Sequence, residues 1–249
     1  MAIDPALQRF HSAGGTTGVL LCHGFTGSPA AVRPWADALV GAGHTVTVPR
    51  LPGHGTVWQE LAVTSWQDWY AAAEAEYRAL ATQCDRVFVG GLSMGGSLAL
   101  RLAEHHPALA GLILVNPAMA AVDPLARLAP VLQHLVTSTP SIGGDIKRAG
   151  VDEKSYRRTP VAGVAQLFKL WADVRSLLDL VTCPVLLYRS RVDHVVPASS
   201  ADLIRRHISS ADYTEVTLQD SYHVATLDND APRISAGTIE FIQRVSAAG

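Results

Sequence analysis

Short apolar runs recur along the chain at Gly18 to Cys22, His44 to Val48, Arg86 to Gly90, Gly111 to Val115, Pro184 to Tyr188 and Tyr213 to Leu218. Helix-period segments lie between them, at Pro29 to Val40, Trp66 to Thr82, Met94 to His105, Pro197 to His207 and Ala231 to Ala247, where apolar residues return at spacings of three and four. Parallel strands buried on both faces read as near-continuous apolar runs, and only helical crossovers can join them. The alternation therefore predicts an α/β chain: a mostly parallel central sheet flanked by helices, with every crossover right-handed. At 249 residues, 48% of them apolar and 17% charged, the chain can bury enough surface to order itself as one domain spanning 1–249.

The alternation breaks between about Pro117 and Val174. There Pro, Gly, Ser and Thr interrupt apolar patches such as LARLAPVLQHLV before a helix near Val164 to Leu178 resumes the pattern. A long irregular stretch inside a compact domain is usually functional. Its apolar content predicts a small cap, about 118–170, inserted after the strand that ends near Val115 and lying over the strand ends.

The chemistry concentrates in RVFVGGLSMGGSLALRLAEHHP, where an apolar strand passes through Gly91-Leu92-Ser93-Met94-Gly95 into an amphipathic helix. Read alone, those five residues fit a small-residue turn as well as a G-x-S-x-G nucleophile elbow; the strand before and the helix after select the elbow of the α/β-hydrolase fold. Upstream, GVLLC runs into His23-Gly24-Phe25-Thr26-Gly27. In that fold this turn supplies an oxyanion donor, so the backbone amides of Phe25 and Met94 are the candidates for the oxyanion hole.

An acid and then a base must follow the nucleophile, each on a loop after a late strand. CPVLLYRS leads to Asp193, and YTEVTL leads through Gln219-Asp220-Ser221-Tyr222 to His223. His223 would take the proton from Ser93, and Asp193 would hold the imidazole tautomer. Among the rivals, His194 adjoins Asp193 and so faces away from it. His105 and His106 close a helix and suit its C-terminal dipole, and His54, in RLPGHGT, either lines the pocket or is satisfied by backbone. Asp220 and Asp228 are rival acids, though neither follows an apolar strand directly. Asn116, just past a strand end, is either a strand cap or a pocket contact.

Twenty basic and 22 acidic residues give a net charge of −2, and the basic ones are scattered, which excludes the electrostatic footprint of a nucleic-acid binder. No Cys or further His stands at ligand spacing from His105 and His106, and no phosphate loop or dinucleotide fingerprint occurs, so no metal and no cofactor is expected. The odd number of cysteines, Cys22, Cys84 and Cys183, argues against disulfides. MAIDPALQRFHSAGG lacks a basic start and a long apolar run, and no stretch reaches the length of a membrane span, so the expected location is cytoplasmic. Transient contact with a membrane surface, and a choice between monomer and homodimer, stay open.

With these residues assigned, the chain resembles the bacterial monoacylglycerol lipases and the related small carboxylesterases of the α/β-hydrolase superfamily. The likeness runs through GVLLCHGFTGSP, VPRLPGHGT, GLSMGG with LAEHHP, DHVVP and SYHVATLD, in that order. It implies release of fatty acid and glycerol from a monoacylglycerol, a small-molecule lipid ester, with Ser93, Asp193 and His223 on the family's triad and Phe25 and Met94 on its oxyanion donors. SIGGDIKRAGVDEKSYRRTP is similar to the family's cap segment, which places Glu153 on the position that helps recognise glycerol and Ile142 on one that contacts ligand. Read without the resemblance, Glu153 is a solvated surface charge. The alternative activity is a broad carboxylesterase for short-chain esters, which uses the same triad and differs in pocket depth and polarity.

Overall fold

The computed structural model describes residues 4–248. Its main sheet has seven strands in the order β1 (Phe10–Ser12), β3 (Thr45–Val48), β2 (Thr17–Cys22), β4 (Arg86–Leu92), β5 (Gly111–Val115), β8 (Val185–Ser190) and β9 (Tyr213–Leu218). Every pairing is parallel except that of β1 with β3. The apolar runs explain the layering. Side chains alternate across a strand with period two, so Leu20, Val89 and Leu114 face one core while Val19, Phe88 and Ile113 face the other. The first core is closed by α3 (Trp66–Ala81), α4 (Met94–His105), α6 (Val161–Arg175) and α7 (Ser199–His207), and the second by α1 (Arg33–Gly41) and α8 (Ala231–Ala248).

Between β5 and β8 the chain leaves this plan. It forms a 3-10 turn at Pro124–Leu128, the short α5 (Ala129–Leu132), and an antiparallel pair of β6 (Ser138–Pro140) with β7 (Arg158–Pro160) before α6 begins. That pair and α5 were not legible in the sequence, being too short to show a period, and the same holds for β1 and for α2 (Trp58–Ala62). Two helix readings shift. The expected helix from Pro29 to Val40 is a 3-10 turn, Pro29–Val32, followed by α1, because Pro34 has no N–H and its ring would strike the carbonyl of Ala30 in a continuous α-helix. The helix expected near Val164 to Leu178 spans Val161–Arg175 instead, and Leu178 belongs to a separate 3-10 turn. Among the described residues no helix is long and apolar enough to cross a membrane.

One close approach seats β4. A Cβ on Gly90, in β4, would lie 2.6 Å from a methyl of Leu21 and 2.7 Å from the Trp35 ring of α1. Gly90→Ala should therefore overpack the second core by about 1–3 kcal/mol, lowering Tm by roughly 2–4 °C per kcal/mol for a chain this long. A thermal melt checks it; an unchanged Tm would mean that Trp35 is not held against β4.

Candidate active site

Ser93 sits between β4 and α4 with φ 56° and ψ −119°, a left-handed φ that costs a non-glycine residue roughly 1–3 kcal/mol. Its neighbours impose that conformation. The Ser93 N–H donates to the Val115 carbonyl at 3.0 Å, and the Ser93 carbonyl accepts from Gly96 at 2.9 Å and Ala118 at 3.1 Å. The flanking glycines are required by contact: a Cβ on Gly91 would stand 2.1 Å from the Gly95 carbonyl oxygen, and one on Gly95 would stand 2.1 Å from that of Cys22. The hydroxyl is thus presented at the start of α4, where the first helical N–H groups have no intrahelical acceptor.

The late loops bring the other two groups to it. His223 Nε2 lies 2.9 Å from Ser93 Oγ, and His223 Nδ1 lies 2.8 Å from Asp193 Oδ2. Asp193 Oδ1 accepts the backbone N–H of Val195 at 2.9 Å and of Val196 at 2.8 Å. Burial alone would raise the Asp193 carboxyl, but the His223 imidazole and these two N–H donors outweigh it and hold the group below its ordinary pKa. An ionised, oriented carboxylate behind a histidine fixes which ring nitrogen faces the serine.

Above Ser93 and His223 opens a cavity of about 670 Å³, within the range of small-molecule sites. The segment between β5 and β8 supplies much of its wall, with Leu125, Ala129, Leu132, Val164, Leu167 and Trp171 among the apolar groups. Leu125 is 65% exposed and Ile142 42% exposed, so these two lining residues stand where the cavity meets solvent. Phe25 and Met94 line the floor beside Ser93. Phe25 is pinned by α6: a Cβ on Gly163 would come within 2.8 Å of its ring. Glu153 lines the cavity and is only 5% exposed, its Oε1 accepting the Gly144 N–H at 3.1 Å, so it is not a solvated surface charge.

A family model described as Hydrolase_4, serine aminopeptidase S33, matches residues 16–230. The chain belongs to that family. Its relatives include a thermostable monoacylglycerol lipase of Bacillus sp. (strain H-257), 45% identical over 239 residues that cover 95% of this chain and 94% of the lipase. A carboxylesterase of Bacillus subtilis (strain 168) is 28% identical over 239 residues, 96% of this chain and 97% of that one. A solved structure from work on LipS and LipT, two metagenome-derived lipolytic enzymes, superposes with a TM-score of 0.94 at 40% identity, covering 98% of this chain and 100% of the other. The architecture is the α/β-hydrolase fold, as the alternation and the elbow predict.

In this Hydrolase_4 chain one expected pocket contact falls elsewhere. Asn116, expected as a substrate-binding residue, does not line the cavity. Its amide is consumed in holding loops together: Nδ2 donates to the carbonyls of His223 at 2.7 Å and Tyr222 at 3.3 Å and to Ser190 Oγ at 3.0 Å, while Oδ1 accepts the Ser190 N–H at 2.7 Å. The rival groups are also occupied. His106 pairs with Glu74 at 2.9 Å, and Asp220 meets Lys147 Nζ at 2.5 Å. Asp228 is fully buried and accepts four backbone N–H groups. His194 turns away from Asp193 and puts Nδ1 2.8 Å from Asp145 Oδ1, both residues lining the cavity. Asp145 was missed by sequence reasoning, because its partners lie 49 and 78 residues away and no local period marks it.

His54 proves to be a packed core group, stacked edge-on against His23 and Trp69, with its Nδ1 3.0 Å from the Pro52 carbonyl. His23 Nδ1 donates to the Gly24 carbonyl at 2.9 Å and Nε2 accepts the Leu51 N–H at 3.2 Å, a pattern that requires the neutral ring. Burial lowers His23 to about 4 and, with the neighbouring His23 adding to it, drives His54 well below its ordinary pKa. Unfolded histidines titrate near about 6.5, so below that pH the unfolded chain binds more protons than the folded one and stability rises with pH. Each of the two should contribute a slope approaching about 1.4 kcal/mol per pH unit between roughly pH 6 and 5. Denaturant unfolding across that window measures it, and His54→Phe should remove about half. A flat profile in wild type would contradict neutral burial.

Proposed function

We propose that this chain is a carboxylic ester hydrolase that cleaves monoacylglycerols to fatty acid and glycerol through an acyl-enzyme. The observation that carries the reading is the unbroken line from Asp193 through His223 to Ser93, at distances of 2.8 and 2.9 Å, ending on the floor of a cavity with largely apolar walls and a buried carboxylate, Glu153. The 45% identical thermostable monoacylglycerol lipase supports it. In this reading the chain is one domain, and about 118–170 is a cap that forms the acyl site.

Ser93 Oγ attacks the ester carbonyl as His223 Nε2 takes its proton, and Asp193 stabilises the imidazolium that forms. The carbonyl oxygen becomes negative and accepts the backbone N–H groups of Phe25 and Met94, each such donor being worth about two to three orders of magnitude in rate. Collapse of the tetrahedral intermediate breaks the bond to the alcohol, which leaves with the proton from His223. Water then attacks the acyl-enzyme as His223 accepts its proton, and when the bond to Ser93 breaks, His223 returns that proton to Ser93 Oγ and the fatty acid departs.

Substrate choice follows from the walls. An acyl chain lying against Leu132, Val164, Leu167 and Trp171 gains about 0.8 kcal/mol per buried methylene. Glycerol hydroxyls need acceptors, and Glu153, with one oxygen held by Gly144, has the other to offer; Ile142 touches the ligand at the rim. A buried acceptor left unpaired penalises esters of plain alcohols. The alternative, a broad carboxylesterase for short-chain esters, is supported by the 28% identical carboxylesterase.

Steady-state hydrolysis of a long-chain monoacylglycerol beside a short-chain aryl ester tests the reading, with Ser93→Ala as the blank. Strong preference for the monoacylglycerol and no turnover by Ser93→Ala are expected; preference for the aryl ester would establish the general carboxylesterase. Glu153→Ala should lower kcat/KM for the monoacylglycerol by about 5- to 150-fold, the worth of about 1–3 kcal/mol, and change an ester of a plain alcohol by only a few-fold. Equal losses on both would remove the glycerol role.

A further inference from the structure

The segment between β5 and β8 meets both late loops of the triad at a single carboxylate. Asp145 Oδ2 accepts the backbone N–H of His194 at 3.2 Å and of His223 at 3.1 Å, and Oδ1 lies 2.8 Å from His194 Nδ1. The Asp145 carbonyl accepts the Val224 N–H at 3.1 Å, so the acid loop at His194 and the base loop at His223 and Val224 close on one residue of the inserted segment. Asp228 widens the junction. It accepts Lys147 N–H at 2.7 Å and Arg148 N–H at 2.9 Å from the inserted segment, and Tyr222 N–H at 2.8 Å from the base loop. Between these two clamps Ile146 packs against the core beneath α1 and α8.

His223 stands five residues beyond the end of β9, past the last backbone that the sheet itself positions. A general base on such a loop is held only by what bonds to the loop, and a displacement of about 1 Å can cost on the order of 100-fold in rate. Asn116 holds the carbonyl side of Tyr222 and His223, whereas the N–H of His223 itself is held by Asp145. Asp145 also lines the cavity, so the group that fixes the base belongs to the wall that contacts the acyl site.

We propose that Asp145 is a positioning residue for the hydrolysis, a hydrogen-bond acceptor through which the inserted segment holds the His223 backbone in register with Ser93. The inference rests on the ester-hydrolase reading above and adds to it a residue that acts through the base and not on the substrate.

The test uses the full chain, p-nitrophenyl butyrate as substrate, and a fluorophosphonate that titrates Ser93 so that rates are expressed per competent site. Asp145→Ala should lower kcat per titrated site by about 10- to 100-fold, with KM within about threefold of wild type, and should slow fluorophosphonylation in step. Asp145→Asn should restore kcat to within about threefold, because its amide oxygen still accepts both backbone N–H groups and the His194 ring can present its other tautomer to the amide N–H. A purely structural role would lower the number of titratable sites and leave the rate of each unchanged. Wild-type kcat per site in Asp145→Ala would overturn the proposal, as would an Asp145→Asn variant as impaired as Asp145→Ala, since the negative charge and not the acceptor geometry would then matter. Failure of the hydrolase reading is a separate result: wild type without turnover, or Ser93→Ala retaining it.

Discussion

The close approach of Gly95 to the Cys22 carbonyl, where a Cβ would stand at 2.1 Å, is the constraint from which the rest of the site follows. It lets α4 begin directly against the end of β2, so the chain must turn from β4 into α4 within one residue. That residue is Ser93, held at φ 56°. Relief of the strain would require α4 to move off the sheet, and α4 is buried along most of its length. The packing of the first core thereby supports a backbone conformation that serine does not favour by itself. The same contact brings the turn carrying Phe25 and the start of α4 carrying Met94 to the cavity that Ser93 lines.

Around that point the polar groups divide by how their buried atoms are satisfied. His23 and His54 are neutral because burial disfavours their charged forms and because His23 uses one ring nitrogen as donor and the other as acceptor. Asp193 is largely, though less completely, removed from water and yet ionised, since the His223 ring and the N–H groups of Val195 and Val196 all point at it. Burial acts on all three, and the partners decide the sign of the outcome. A histidine that lay beneath the turn carrying Phe25 and titrated near neutrality would put a positive charge under the cavity floor. One that stays neutral serves as a hinge pin for the backbone of Gly24 and Leu51.

The segment between β5 and β8 is more than a wall. Asp145 and Asp228 fasten its 145–148 stretch to the loop that carries His223, and the Tyr156 N–H donates to the Thr26 carbonyl at 3.1 Å, fastening its far end to the turn that carries Phe25. The Tyr156 hydroxyl donates to the Gly53 carbonyl at 2.7 Å and accepts the Thr56 N–H at 2.9 Å, adding a third attachment. The segment therefore bridges the loop that carries His223 and the turn that carries Phe25, and its contribution is geometric as well as apolar.

What the sequence determined by itself was the order of the main strands and helices and the elements with the clearest local period or motif. The runs Gly111 to Val115 and Tyr213 to Leu218 and the helix Met94 to His105 have the ends that periodicity assigns, and Gly91-Leu92-Ser93-Met94-Gly95 announced its turn because the steric need for small residues is written into five consecutive positions. The order of Ser93, Asp193 and His223 along the chain was equally legible, since each follows an apolar strand. Only the tertiary structure decided which side chains face the cavity and which spend their hydrogen bonds elsewhere. Asn116 reads as a pocket residue until Ser190, Tyr222 and His223 are seen to use its whole amide, and Asp145 reads as nothing until two loops 49 and 78 residues away arrive at its carboxylate. Periodicity reports how a residue sits relative to its own strand or helix, whereas a hydrogen bond between distant loops depends on how the elements pack, and no short stretch of sequence carries that information.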